Sequence, residues 1–169
     1  IILVTGANGE IGQELIKALA KDTTKKILAL DLHPIDDTIS NLLHEKLTGN
    51  ILDKNLLEQI SSAYEIQEVY HLAALLSTRS EFSPDMAHEV NVTGTLNMLT
   101  LAVEQAKSQG APIKIFFPSS IAVYGLENET IKIQANAITE SEYCNPITMY
   151  GCNKLYCEKL GSYYSKHYH

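Results

Sequence analysis

Short apolar runs alternate along the chain with longer stretches in which apolar residues recur at helical spacing. IILVTG (1–6) is a continuous apolar run closed by Gly6, the pattern of a strand buried on both faces of a parallel sheet. EIGQELIKALA (10–20) carries Ile11, Leu15, Ala18 and Leu19 at i, i+4, i+7 and i+8, which predicts a helix with that stripe on the sheet. KKILALDL (25–32) and EKLTGNI (45–51) read as the second and third strands. DKNLLEQISSA (53–63) reads as a helix with Asp53 as its N-cap. EVYHLAA (68–74) and IKIFFPSS (113–120) supply two more strands, separated by one long helix over 85–109. An irregular stretch, 125–146, leads into a last helix from about 149 to 167. Strands alternating with helices predict right-handed crossovers and an α/β, doubly wound parallel sheet without an internal domain boundary.

Charge narrows the function classes. Thirteen basic residues against twenty acidic ones give a net charge of −7, and Arg79 is the single arginine, so the basic footprint of a nucleic-acid or anionic-membrane binder is missing. A small-molecule site fits better. No apolar run approaches the ~20 residues of a membrane span and no basic-then-apolar leader opens the sequence, so the cytoplasm is the expected compartment. Cys144, Cys152 and Cys157 are odd in number and lack metal-ligand spacing, and His33, His44 and His88 have no second His or Cys beside them. Neither a disulfide framework nor a metal site is expected.

TGANGEIG (5–12) places glycines at 6, 9 and 12 between a strand and a helix, where backbone N–H groups and the helix dipole can hold a pyrophosphate. Asp31 ends the second strand nineteen residues after Gly12, the place of an acid that hydrogen-bonds a ribose hydroxyl. Its charge repels a 2′-phosphate, and DLHP offers no Arg or Lys to receive one, so NAD is expected over NADP. In PITMYGCNK (146–154), Tyr150 and Lys154 stand four apart; in a helix they share a face with Cβ atoms about 5–6 Å apart. A nearby ammonium favours the tyrosinate and is expected to lower the phenol below its usual value of about 10.

The spacing G-x-x-G-x-x-G, together with HLAALLS (71–77), NVTGTLNML (91–99), PSSIAVYG (118–125) and YGCNK (150–154), resembles the extended branch of the short-chain dehydrogenase/reductase superfamily over the whole chain. The resemblance implies a Rossmann fold, NAD as cofactor, and a Tyr-Lys pair with a Ser acting on a hydroxyl or carbonyl. It assigns catalysis to Ser120, Tyr150 and Lys154, with Ser119 a lesser contact. The cofactor site maps onto Gly6, Asn8, Gly9, Glu10, Ile11, Gly12, Asp31 and Leu32, onto Asn50 and Ile51 against the adenine, and onto Leu72, Ala73, Ala74, Asn91, Tyr150 and Lys154. Asn50 departs from the Asp usual there. Gly94, in mid-helix, is expected to permit a close approach.

Ile121 and Ala122 stand where sugar-nucleotide dehydratases carry an Asp-Glu pair, so dehydration is not expected. Within the branch, the stretches 71–99 and 145–164 resemble the short-chain L-threonine 3-dehydrogenases, which implies oxidation of L-threonine to 2-amino-3-ketobutyrate, with Ser77 and Thr148 as further substrate contacts. UDP-sugar 4-epimerases are the alternative, and a non-catalytic NAD-binding protein is the alternative from another class. Extended-branch enzymes carry a second stretch that builds the substrate lobe. The 169 residues are therefore expected to be the N-terminal part of a longer protein, inactive alone. Tyr156, Leu160, Tyr163 and Tyr164 form an apolar stripe on the last helix, and the resemblance implies a homodimer through it and the long helix before it.

Overall fold

Apolar strand sequences and their period of two build the centre of the molecule. In the computed structural model, which describes residues 1–135 and 137–168, five parallel strands form one sheet: β1 (Ile2–Thr5), β2 (Ile27–Asp31), β3 (Glu45–Thr48), β4 (Glu68–His71) and β5 (Lys114–Phe116). Their spatial order is β3-β2-β1-β4-β5. Leu3 pairs with Leu28 on one side and Val69 on the other. Alternate residues point to opposite faces. Leu3, Leu28, Leu30 and Val69 therefore pack against α3 (Lys54–Ala63) and a long helix on one face, through Leu57, Ile60, Met98 and Leu101. Ile2, Val4, Ile27 and Ala29 meet Ile16 of α1 (Glu10–Leu19) and Ile39 of α2 (Asp37–Ser40) on the other.

The crossover through α3 carries the chain from β3, at one edge, past β2 and β1 to β4. The strand order thus reverses between β1 and β4, and the loops leaving their carboxyl ends diverge there. Ligands of open α/β sheets bind at such a point. After β4 come α4 (Ser77–Phe82), α5 (Pro84–Ala87), a π-helical segment (His88–Thr93) and α6 (Gly94–Gln109). After β5 come a 3₁₀ turn (Ile121–Val123), α7 (Glu129–Ala135) and α8 (Met149–Tyr168).

Several sequence expectations need correction. The helix expected over 85–109 is three segments, because the N–H of Gly94 reaches back five residues to Glu89 and opens a π turn. The strand expected over 113–120 ends at Phe116; two residues on, Pro118 has no N–H for a ladder. The stretch 125–146 contains α7; Asn136 within it lies outside the described residues. Leu15 and Leu19 of the expected stripe on α1 do pack, partly buried, on the sheet, but the fully buried positions are Gly12 and Ile16, while Ile11 is 68% exposed and Ala18 is exposed. Gly12 sets that face, since a Cβ there would press on the carbonyl oxygens of Gly6 and Ala7, so only its bare side can approach β1. Asp53 does cap α3, accepting the N–H groups of Asn55 and Leu56.

Gly94 gives the close approach expected of it: a Cβ there would collide with Cδ1 of Ile51. That atom is the far end of a side chain, which can shift, whereas Gly12 faces rigid backbone. Gly94→Ala is expected to change stability by less than about 1 kcal/mol, its gain in helix propensity offsetting the displaced Ile51. Gly12→Ala is expected to cost about 1–3 kcal/mol, the range of overpacked sites. Urea unfolding midpoints of the two variants check both values.

Candidate functional site

Gly6 closes β1 with φ +69°, a conformation that L side chains rarely adopt, and a Cβ there would lie 2.7 Å from the Ala73 nitrogen. The loop after β1 therefore packs on the backbone of the loop after β4. Gly9 donates its N–H to Gly6 O (3.1 Å) and is the N-cap of α1 without any side chain to serve it. Among the described hydrogen bonds, the N–H groups of Glu10, Ile11 and Gly12 have no acceptor. Three free donors at the positive end of a ten-residue helix, reached over side-chain-free backbone, fit a pyrophosphate.

Asp31 stands beside this loop at the end of β2. Its Oδ2 accepts the Asn8 N–H (3.0 Å) and its Oδ1 the His33 N–H (3.1 Å), which leaves each oxygen a lone pair for a ribose hydroxyl. Leu32, 61% exposed, follows it. Asn8 donates from its side chain to the carbonyls of His33 and Pro34 and accepts the Asp36 N–H, so this residue staples the loop rather than reaching outward. Asn50 is exposed and its Oδ1 accepts the Leu52 N–H. Ile51, expected against the adenine, turns its side chain into the core with Leu57 and Met98.

Across the switch point, Leu72, Ala73 and Ala74 are half-buried and line the start of the loop after β4. Asn91, expected at the cofactor, is buried, and its amide is used within the protein. Oδ1 accepts the Leu75 N–H (2.7 Å), while Nδ2 donates to Leu75 O (3.0 Å) and to Asn153 Oδ1 on α8 (3.3 Å). It shapes the loop and ties it to α8. Asn91 lies within the π turn, which apolar spacing could not reveal.

Tyr150 and Lys154 share the first turns of α8. Lys154 is buried; its Nζ donates to Pro118 O (2.9 Å) and lies 4.3 Å from the Phe117 ring centroid and 5.5 Å from that of Tyr150. The ammonium thus sits over the ring face rather than at the hydroxyl. Burial pushes the Tyr150 phenol up and the Lys154 amine down, opposite to the lowering of the phenol that their spacing suggested. Ser120 caps the 3₁₀ turn: its Oγ accepts the Ala122 N–H (3.1 Å) and leaves its O–H to donate. Gly151 lets that turn dock, since a Cβ there would strike Ala122 O, and the docking brings Ser120 to the helix turn bearing Tyr150.

Ser119 donates to Glu158 instead. Thr148 accepts the Gly151 N–H (3.0 Å), and its Oγ1 is a cap of α8. Ser77 is exposed at the start of α4. Residues that the sequence reading passed over complete the frame. Glu81 Oε1 accepts the Met149 N–H (2.7 Å) from α4, and buried Asn153 receives Asn91. His71 lies beneath the site between Thr5 and Thr95. Asn153 falls inside the Tyr-Lys spacing, which was a signal; Glu81 and His71 reach their partners only in three dimensions. A cleft of about 940 Å³ runs between α6, α8 and strands β4 and β5, away from the glycine loop. Among the described residues no three His, Cys, Asp or Glu side chains gather at metal-binding distance, and no helix is long and apolar enough to cross a membrane.

A sequence model of the NAD dependent epimerase/dehydratase family matches residues 2–169. An uncharacterized epimerase/dehydratase of Staphylococcus aureus is 33% identical over 170 residues, covering 99% of this chain and 49% of its own length. A monomeric L-threonine 3-dehydrogenase from a metagenome superposes with a TM-score of 0.84 at 36% identity, over 99% of this chain and 50% of that one. UDP-glucose 4-epimerase from Brucella ovis, in complex with NAD, superposes with a TM-score of 0.81 at 28% identity, over 99% and 48%. The chain spans about half the length of the relatives it matches.

Burial, and then the charge of Lys154, push His71 from its ordinary 6.5 down to about 3. Below pH 6.5 the unfolded chain therefore gains a proton that the folded chain refuses until about pH 3, so stability falls with falling pH across that window. One such proton gives a slope of about 1.4 kcal/mol per pH unit. Denaturant unfolding between pH 6.5 and 5, above the range in which Asp22, Asp36 and Glu142 take up protons, should show stability falling toward acid in the wild type and a smaller fall in His71→Asn.

Proposed function

The chain belongs to the NAD dependent epimerase/dehydratase family, and from that premise we propose that it is the cofactor-binding and acid/base half of an NAD-dependent dehydrogenase that oxidises L-threonine to 2-amino-3-ketobutyrate. One observation carries the reading. The helix turn bearing Tyr150 and Lys154 docks, through Gly151 on Ala122 O and Lys154 Nζ on Pro118 O, against the segment after β5 that carries Ser120, in a chain 36% identical to an L-threonine 3-dehydrogenase. The free N–H groups of Glu10, Ile11 and Gly12 and the acceptor oxygens of Asp31 fit NAD, and Asp31 disfavours the 2′-phosphate of NADP. The three cysteines are free thiols, in keeping with a cytoplasmic enzyme.

NAD, when bound, supplies the hydride acceptor and a positive nicotinamide. Tyr150 takes the proton of the substrate 3-hydroxyl as the C–H electron pair leaves and the carbonyl forms. Ser120 donates its free O–H to the same oxygen and holds it in line. Lys154, anchored on Pro118 O, keeps a positive charge beside the phenol ring and favours the tyrosinate that burial alone opposes. On this reading Ser77, exposed at the start of α4, and Thr148, whose Oγ1 caps α8, contribute contacts to the substrate.

The sequence continues, on this reading, into a second half that grips the amino and carboxylate groups of threonine; the 169 residues bind NAD without turning over substrate. The likeness to UDP-glucose 4-epimerase favours a second reading, epimerisation at C4 of a UDP-sugar with the same Tyr-Lys pair. An assay of the longer protein with L-threonine, UDP-galactose and UDP-glucose separates them. NADH formation from threonine is the expected result. Sugar epimerisation without it selects the second reading, and NAD binding without either selects a non-catalytic protein. Tyr150→Phe should abolish turnover and spare NAD binding, Lys154→Ala should weaken both, and Ser120→Ala should lower turnover by roughly 10²–10³.

The outer face of α8 supports assembly as a homodimer. Tyr156 is 55% exposed and Tyr163 50%, with Leu160 half-buried between them, and Leu96 of α6 is exposed nearby in sequence to the Asn91 clamp. Four helices, two from each copy, bury these surfaces about a two-fold axis. Light scattering of the intact protein is expected to give the dimer mass; a monomer, as the metagenome enzyme is described, ends the proposal.

A further inference from the structure

His71 occupies a place in the site that neither the glycine loop nor the Tyr-Lys pair accounts for, and the protons around it can be assigned one by one. Thr95 donates its hydroxyl proton to Asn91 O at 2.6 Å. The Thr95 oxygen therefore meets Nε2 of His71, 3.2 Å away, as an acceptor, and Nε2 carries the imidazole proton. Nδ1 is then a bare acceptor and receives the Thr5 hydroxyl proton at 2.8 Å. The Thr5 oxygen in turn accepts the Ala73 N–H at 3.3 Å. Donors thus run in one direction, from the Ala73 amide through Thr5, His71 and Thr95 to the Asn91 carbonyl.

The two ends of this chain belong to different parts of the site. Ala73 lies against Gly6, on the cofactor side. Asn91 clamps Leu75 and holds Asn153 of α8, between Tyr150 and Lys154. The imidazole stacks on Phe117 at 6.2 Å, the ring over which the Lys154 ammonium lies. Lys154 is the charged group that acts on it, and the Cys157 thiol donates at 3.3 Å to the same Asn91 O that receives Thr95. A proton added at Nδ1 would reverse the Thr5 link. The neighbouring ammonium disfavours that proton.

We propose that His71 is a positioning residue, fixed as the neutral imidazole protonated on Nε2, that holds the Leu72–Ala74 segment of the cofactor site in register with the π turn behind Tyr150 and Lys154. The proposal rests on the reading of this edge as an NAD site. The imidazole touches neither cofactor nor substrate on this account and acts through Thr5 and Thr95.

Nitrogen NMR of histidine-labelled protein reads the imidazole directly. His71 should remain neutral and Nε2-protonated between about pH 5 and 8 while ordinary histidines titrate. An Nδ1-protonated tautomer, or titration with an ordinary midpoint, overturns the proposal and needs no variant to fold. Isothermal titration of NAD into Thr5→Val and Thr95→Val gives the second measurement. Each should weaken NAD binding by about tenfold, the scale of one buried hydrogen bond left unmade. The double variant should weaken it by less than the product of the two, because both act through one imidazole. Wild-type binding of NAD with unchanged affinity in both variants, or with fully independent losses, overturns the proposal alone. Failure of the wild type to bind NAD sinks the reading of the site as well.

Discussion

The contact between Gly6 and the backbone of Leu72 and Ala73 governs the arrangement of this site. At 2.7 Å from the Ala73 nitrogen there is no room for a Cβ, so the first loop after β1 can lie directly on the first loop after β4. That contact occurs where the strand order reverses, between neighbours β1 and β4. It leaves the N-terminus of α1 open, with free N–H groups, and it places Ala73 where Thr5 and His71 can reach it. Gly12 serves the same end one turn later by admitting α1 close to the Gly6 carbonyl.

On the far side of the switch point the controlling forces are polar and buried. Asn91 replaces the missing backbone partners of Leu75 with its own amide and reaches Asn153 as well, so three segments share one side chain. Such a network is stable only when every member is satisfied. Among the described residues no buried side-chain nitrogen or oxygen lacks a partner. The burial that secures this network also shapes the chemistry. It pushes Tyr150 and Lys154 toward their neutral forms. A cationic ligand beside the phenol would therefore act on a group whose charge the protein alone does not favour.

The helix α8 joins these two halves. Its first turn is capped twice, by Thr148 from within and by Glu81 from α4, and Gly151 admits the Ser120 turn against it. Positions 148 to 154 therefore fix Tyr150 and Lys154 relative to both the loop after β4 and the turn after β5. A capping carboxylate at the helix N-terminus is favoured by the dipole, so Glu81 stabilises the helix that it positions.

The order of strands and helices, the parallel sheet and the glycine loop were legible in the sequence because they rest on local signals. Continuous apolar runs, helical spacing, a capping Asp53 and glycines between strand and helix all act over a few residues. The family and its NAD dependence followed from motifs of the same short range. The tertiary structure alone decided the rest. The sequence could not show that Asn91 would serve Leu75, that Ile51 would turn into the core against Gly94, or that α1 would bury Gly12 and Ile16 while exposing Ile11. Nor could it show that His71 would stand neutral between Thr5 and Thr95, 66 and 24 residues away. Each of these outcomes depends on which remote atoms meet in a dry interior, where an unpartnered polar group or an extra methyl is costly, and local spacing carries no record of that encounter.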